Sequence, residues 1–546
     1  MRKYMLIFAA AIVSTFGAGA QSAMDAFSAS QSQLRGTARY VSMGGAFGAL
    51  GGDLSTLNQN PAGLGVYRSN EFGATLDIDF SSTSMSNTGS NSMTDRRTRA
   101  ACNNFGYAGS TRTGSDLMPY FAWGATYNRI NSFERSYKGY FPNLPSSWSN
   151  YVASFSGGYS GQQLWGTEDY DPFFDSNVPW ISALAYNTFL INPAQNGNGY
   201  VGLMQPGSNG DASIEVHEQG YIDEYSINFG GNFSNMVYWG IAFGISDISY
   251  KQSSYYDENI NNALVPVSEA SDGLTTGTAE WGIENLQQVS GTGFNLKLGL
   301  IFKPINEFRI GLAVHTPTWY NLSYSTNAWV DYGLGKIEND GYYTLDSMVD
   351  DNPYATTNNG YWDMKLKTPW RLMASAAGVI GGRFIISADY VYEAYPSMSF
   401  SDDLGKLDDI SADVKRYYQP TNELRVGAEY RLTPSWSVRA GYNWKSSAAK
   451  TAVREGQDYL YTSGTQSMAE FKGDRNNVSV GLGYRTGGFY IDAAYVHSTQ
   501  KSDWFAFSSF PSANGGYDLA SGAFSSPRGT ITSKNNNLVL SIGFKF

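Results

Sequence analysis

The last ten residues, NLVLSIGFKF at 537–546, carry the pattern that decides the fold. Leu538, Leu540, Ile542, Phe544 and Phe546 fall on one face of an extended strand, while Asn537, Ser541, Gly543 and Lys545 fall on the other, because successive strand side chains point to opposite sides. The same period runs upstream. Trp436, Val438, Ala440, Tyr442 and Trp444 alternate with Ser437, Arg439, Gly441, Asn443 and Lys445, and Phe294, Leu296, Leu298, Leu300 and Phe302 alternate with Asn295, Lys297, Gly299 and Lys303. A soluble sheet packed on one face also alternates. Aromatic residues at the ladder ends favour the other solution, a sheet whose apolar band meets lipid between two aqueous interfaces, with small residues turned toward a crowded lumen.

Composition narrows the class. Of 546 residues only 16% are charged, 15% are aromatic and 60 are glycine, a profile poorer in charge and richer in glycine than ordinary soluble domains. The formal charge of -11 leaves no basic footprint for nucleic acid. Cys102 is the single cysteine, so it reads as a small apolar residue, and neither an internal disulfide nor a cysteine metal cluster is expected. No cofactor and no metal site are expected.

Residues 1–20 read as an export signal, with Arg2 and Lys3 first, an apolar stretch over 5–13 and the small-residue end Ala18-Gly19-Ala20. The stretch is too short for a membrane helix, and the mature chain is expected to begin at Gln21. No later run of 18 apolar residues occurs, which excludes helical spanning.

Connections alternate in length. Tight turns are read at 303–306, 380–382, 432–434 and 486–488, and polar segments rich in Asn, Ser, Asp, Gly and Tyr at about 131–218, 252–285, 330–360, 396–419, 446–474 and 501–533. Short turns at one end and long loops at the other belong to outer-membrane barrels. Strands laid between them from Glu71 to Phe546 number about fourteen, an even count that leaves both ends in the periplasm. The expected fold is all-β, a transmembrane antiparallel barrel over 71–546. Its first outer loop, 81–99, is poor in apolar residues and is expected to be mobile. The longest loop, 131–218, holds Trp148, Tyr151, Trp165, Phe173, Phe174 and Trp180, too much apolar surface for water, and is expected to fold as a lid with a helix over 176–190 capped by Ser176.

Residues 21–70 do not alternate. The stretch SASQSQLRGTARYVSMGGAFGALGGDLSTLNQNPAGLGVY (28–67) is too small and glycine-rich for a core of its own, so it reads as a plug inside the barrel. Phe47, Leu50, Leu54 and Leu57 fall at helical spacing, and Asn60-Pro61 would end that helix, since a residue before proline avoids the helical region.

GGAFGALGGD (44–53) followed by NQNPAGLGVY (58–67) resembles the N-terminal hatch of the long-chain fatty acid transporter family of the Gram-negative outer membrane. FKPINEFRIGLAVHTPTWY (302–320), TPWRLMASAAGVI (368–380) and NELRVGAEYRLTPSWSVRAGYNW (422–444) are similar to the family's strands, and the terminal SIGFKF resembles the signal read by the barrel assembly machinery, with Phe546 last. The resemblance implies a fourteen-stranded barrel with a hatch in its lumen. It also implies passive transport, in which hydrophobic molecules, long-chain fatty acids by default, are captured at outer loops, held beside the hatch and released sideways at a kinked strand. It places Asn60, Pro61 and Ala62 in the hatch triplet, with Gly63 beside them as a point of backbone freedom. The kinked strand would be the third, with Pro119 and Gly124 as candidates; the alternative is that Pro119 simply starts that strand.

An enzyme is not expected. No GxSxG or HExxH pattern occurs, the glycine repeat at 44–52 lacks the GxGxxG spacing and a following βαβ unit, and His497 and Ser498, adjacent on a strand, point to opposite faces. Parity turns Arg309, His315, Arg371, Arg383, Arg425, Arg431, Arg439 and Arg485 inward with Asp389, Glu393, Glu429 and Asp492. These read first as a charge network around the plug. Arg309 and Arg371, with His315 beside them, are also candidates for binding a substrate carboxylate, because arginine holds that group bidentately. The expected partners are the hydrophobic substrate and outer-membrane lipid, with the chain a monomer. Two rival functions are a polar pore, against which the plug argues, and an adhesive surface barrel. Aromatic hydrocarbons, porphyrins and bile-derived lipids are alternative cargoes.

Overall fold

The computed structural model describes residues 22–87, 92–195, 199–266, 273–338, 341–347, 353–357, 359–403, 405–460, 464–510 and 524–546. The segment read as an export signal lies outside them. Fourteen antiparallel staves form the barrel. In order they are β1 (Glu71–Ser86), β2 (Met93–Arg112), β3 (Tyr120–Ser132, continued by Arg135–Pro142), β4 (Asn209–Phe233), β5 (Val237–Pro266), β6 (Leu274–Ile305) and β7 (Phe308–His315, continued by Trp319–Glu338). There follow β8 (Gly360–Lys367, continued by Arg371–Ile380), β9 (Phe384–Glu393, continued by Ser399–Ser401), β10 (Thr421–Arg431), β11 (Trp436–Lys445), β12 (Ala469–Thr486), β13 (Phe489–Phe505) and β14 (Arg528–Lys545). β1 pairs with β14 from Glu71↔Lys545 to Ser86↔Thr530, which closes the ring and removes the open edges of the sheet.

The alternation places polar residues inside. On β1, Phe72, Leu76, Ile78 and Phe80 are exposed while Thr75 and Asp77 are buried, the inverse of a soluble core and the pattern of a wall facing lipid. On β14, Leu538, Leu540, Ile542 and Phe544 are exposed and Ser541 is buried, as the sequence implied.

The wall is uneven in height. β10 and β11 have 11 and 10 residues, whereas β4, β5 and β6 have 25, 30 and 32. A tilted strand crosses the apolar layer in about 9–11 residues, so the tall staves rise well beyond it. This corrects the loop reading of 252–285, which is mostly strand, and of 131–218, whose ends form Arg135–Pro142 and the start of β4. Outside the bilayer both faces of a strand meet water or polar lumen, so the apolar alternation fades although the ladder continues. The 81–99 loop is likewise largely paired, with β1 and β2 in register out to Met85↔Met93.

The 131–218 segment does fold as a lid. Helices α3 (Trp148–Ser156) and α4 (Trp180–Asn187) share a core with Trp281, Trp504 and Phe507 of the tall wall. The α4 boundary differs from expectation. Pro179 occupies its N-cap without a side-chain cap, and Ser176 instead donates to the Pro172 carbonyl at 2.8 Å.

The N-terminal segment fills the lumen. Helix α1 (Ala23–Ala29) packs in the outer half against Tyr395, Tyr418 and Val414, and α2 (Ala38–Ser42) begins the hatch below it. The single helix expected through Phe47, Leu50, Leu54 and Leu57 is absent. Gly44, Gly45, Gly51 and Gly52 adopt φ of 63°, 76°, 64° and 70°, left-handed values that break a helix and suit glycine, and only Leu54–Asn58 winds into a 3-10 turn.

Candidate functional site

The hatch is seated by the residues read from its triplet. Asn60 is 1% exposed. Its Nδ2 donates to the carbonyls of Gly48 at 2.6 Å and Leu300 at 3.4 Å, and its Oδ1 accepts from the Ala62 N–H at 3.1 Å, capping the 3-10 turn Pro61–Val66. Pro61 suits that first position because its ring presets φ and its missing N–H is not needed there. The turn lies against bare wall backbone: a Cβ on Gly240 would strike the Pro61 carbonyl, and one on Gly299 would strike Asn60. Gly63 packs closely as well, since a Cβ there would lie 2.8 Å from Thr56 Oγ1.

Inward charges hold the hatch to the wall. Arg39 Nε bonds Glu429 at 2.9 Å, Glu429 accepts from Arg439 Nε at 2.6 Å, and Arg439 reaches Asp492 at 2.6 Å. Asp389 accepts from the Phe47 and Gly48 N–H groups, each at 3.0 Å. Arg383, Arg431 and Arg485, read as inward, are exposed instead; they lie where the staves meet the short turns and water is available.

Above the hatch lies a cavity of about 160 Å³ lined by Gln59, Lys297, His315, Arg371, Glu393 and Arg425 among others. His315 and Arg371 are thus brought together, as register partners across β7 and β8. His315 Nε2 donates to the Gln59 carbonyl at 2.7 Å, and Arg371 lies 3.5 Å from Glu393 and 3.9 Å from Glu423. Arg309 is elsewhere, donating to the Leu50 carbonyl at 2.7 Å on the hatch.

A second cavity, about 80 Å³, lies behind a defect in the wall. The β2–β3 ladder runs from Arg112↔Tyr120 to Asn104↔Asn128 and stops, although β2 continues to Met93 and β3 to Pro142. Beyond that point side chains span the two staves: Arg99 bonds Glu134 at 2.5 Å and Ser136 donates to Asp95, while Arg97 Nη2 reaches past β3 to lie 3.3 Å from His217 Nδ1 on β4. The split starts at membrane depth, because Cys102 and Ala100 pair with the lipid-facing Leu76 and Ile78. Asn131, Phe133 and Glu134, on β3 beyond the end of the β2–β3 ladder, line the cavity.

The defect falls on the third stave, but not at the residues picked from sequence. Pro119 precedes β3, and Gly124 sits in an unbroken ladder opposite Ala108 and Asn228. The irregularities are instead at Ile130, where the β3–β4 register slips between Arg129 and Asn131, and at Asn103, skipped between Cys102 and Asn104. A signal was available, since the outward positions on β2 change from even (Ala100, Cys102) to odd (Phe105) across Asn103, a parity switch that marks a bulge.

A third cavity, about 90 Å³, lies toward the outside among Met24, Phe27, Glu218, Met468, Lys472 and Trp504. Lys472 and Glu218 line it and the second cavity alike, and Arg475 lines the second and the first.

A lipid-facing barrel, plugged at its periplasmic end and defective in its side wall, defines a class: outer-membrane transport barrels. The sequence model of the outer membrane protein transport family (OMPP1/FadL/TodX) matches residues 225–545, more than half of the chain, and the chain belongs to that family. It is therefore a multi-pass outer-membrane β-barrel that transports hydrophobic compounds and is not an enzyme. Similar solved structures include a Pseudomonas aeruginosa FadL homologue at 13% identity and TM-score 0.49, covering 94% of this chain and 99% of that one. The Pseudomonas putida toluene transporter TodX matches at 14% identity and TM-score 0.44, and the Ralstonia pickettii toluene transporter TbuX at 15% and 0.40, each covering 94% of this chain and 99% of its own. Among curated proteins no sequence match is found.

Proposed function

We propose that the protein carries long-chain fatty acids passively, taking them up beneath the lid, passing them through the lumen cavities and releasing them sideways between β2 and β3. The observation that carries this reading is the split itself. At membrane depth the backbone ladder is missing, only side chains close the gap, and a cavity lies directly behind it. A chain that leaves there enters lipid without crossing the periplasmic hatch. Asn60, Pro61, Ala62 and Gly63 keep the hatch seated, and Arg309 and His315 serve as hatch contacts. Arg371 is opposed by two carboxylates, so an incoming acid must displace Glu393 or Glu423 to use it.

The test is uptake of labelled oleate by cells lacking their own transporter, comparing the intact chain with an Asn60→Ala, Pro61→Ala variant at matched surface level. The loss strands the buried Gly48 carbonyl and Ala62 N–H at about 1–3 kcal/mol each, which loosens the cavity floor. Saturable uptake by the intact chain that falls in the variant, with increased leak of a small polar solute, is the expected result. Uptake absent from a correctly inserted intact chain overturns the proposal.

A further inference from the structure

We propose that the outer rim of the wall over β13, β14, β1 and β2 binds the phosphorylated head of an outer-leaflet glycolipid through Arg96, Lys501 and Lys534. The site faces away from the lumen and does not rest on the transport reading. On β1 the outward apolar run ends at Phe80, and the stretch from Phe72 to Phe80 matches the roughly 9–11 residues in which a tilted strand crosses the apolar layer. Ser82 is the next outward position. It pairs with Arg96 on one side and with Lys534 on the other. Lys534 pairs in turn with Thr499, which makes Lys501 its diagonal neighbour. Just below them the Tyr495 hydroxyl donates to Asn536 Oδ1 at 2.7 Å, an aromatic ring with its polar tip at the membrane interface. All three cations are exposed, and among the described residues none is in an ion pair. Lys365, an exposed cation on β8, by contrast bonds Asp403 at 3.0 Å. Nearby acids are already engaged: Asp503 bonds Arg454 at 2.8 Å, Asp474 accepts from the Trp444 indole and the Ser447 N–H, and Asp95 accepts from Ser136.

Unmatched cations beside the hydroxyls of Ser82, Thr98 and Thr499 suit phosphate, because an arginine fork takes two of its oxygens and lysine adds a point charge. Arg96 and Lys534 stand two strand spacings apart, about 10 Å. That spread fits a broad head, a phosphorylated sugar, better than one small phosphate. Directly below lie Ile78, Phe80 and Leu538, exposed and apolar, on which acyl chains pack. A lipid held there lies against β2, one margin of the split.

The test uses the full-length barrel in a sugar-headed detergent, with lipid A and its fully dephosphorylated form as probes and binding read by native mass spectrometry. Arg96→Gln, Lys501→Gln and Lys534→Gln should each weaken lipid A by about fivefold, and the triple variant by about a hundredfold. None should alter binding of the dephosphorylated form. Lys365→Gln, at a cation already paired, should leave lipid A binding unchanged. The substitutions are exposed and polar, and heat-dependent gel migration checks that each barrel is folded. Equal binding of the two lipid A forms, or a triple variant that binds lipid A like the intact chain, overturns the site. Displacement of lipid A by an equal concentration of phosphatidylglycerol or inorganic phosphate overturns it as well, since the patch would then be a general anion surface.

Discussion

Oxidising an Asp95→Cys, Ser136→Cys pair in a Cys102→Ala background is expected to stop fatty acid uptake, and reduction to restore it. The two native side chains already touch across the split, and short side chains in contact bring their Cβ atoms within disulfide reach. The bond closes a gap that no backbone ladder holds, between staves paired only as far as Asn104↔Asn128. Separation of those staves is the proposed exit step, so a covalent link there is expected to remove it while leaving the lumen and lid untouched. The control is the same chemistry across an intact ladder. Thr126 and Ser226 are register partners whose hydroxyls lie 2.8 Å apart, and a Thr126→Cys, Ser226→Cys disulfide is expected to leave uptake unchanged. Uptake indifferent to the oxidation state of the 95–136 pair would contradict a side exit at this position.

The second large effect falls on the lid. Glu258, 0% exposed, accepts from the Trp148 N–H at the start of α3, from the Ser147 hydroxyl and from the Tyr256 hydroxyl. It stands thirteen residues beyond Ile245, an outward apolar residue of β5 that is 60% exposed. At about 3.3 Å per residue this places it outside the bilayer. Glu258→Ala strands those donors at about 1–3 kcal/mol each and is expected to undock α3, read as lost hydrogen-exchange protection over residues 148–156 in a barrel that remains folded. Burial pushes the Glu258 carboxyl up to about 7 from 4.5. A carboxyl raised in the folded state stabilises docking fully below 4.5, and that contribution is lost as pH rises through about 7, up to about 3 kcal/mol in all. The lid is therefore expected to protect α3 better at pH 5.5 than at pH 8.5, and Glu258→Gln, which cannot titrate, should flatten the difference. An unchanged pH response in Glu258→Gln would show that another group sets it.

The barrel was legible because lipid imposes a one-sided apolar face on each crossing, so Leu538 to Phe546 declare themselves without any partner in view. The staves above the bilayer were not. Gln252, Ser254 and Asn259 carry no apolar alternation, and only pairing with β4 and β6 makes them strand. The N-terminal segment was legible as a plug, but its path was not, since left-handed glycines turned a helical spacing into loops. Parity found the charge network around Glu429 and Arg439, yet could not tell a cation already paired across the lumen from one that is not. The split was missed because proline and glycine were sought, whereas the wall fails through one skipped asparagine and a register slip.

The most direct measurement of the central claim is to let cells import a fatty acid bearing a photoreactive diazirine near its tail, illuminate during uptake, and map the adducts by mass spectrometry. Side release predicts adducts along both margins of the split, on residues 98–103 and 129–134, that disappear when the 95–136 disulfide is oxidised. Adducts confined to the hatch and the periplasmic turns, with both margins unlabelled, would mean that the cargo passes straight through the barrel and would contradict the account.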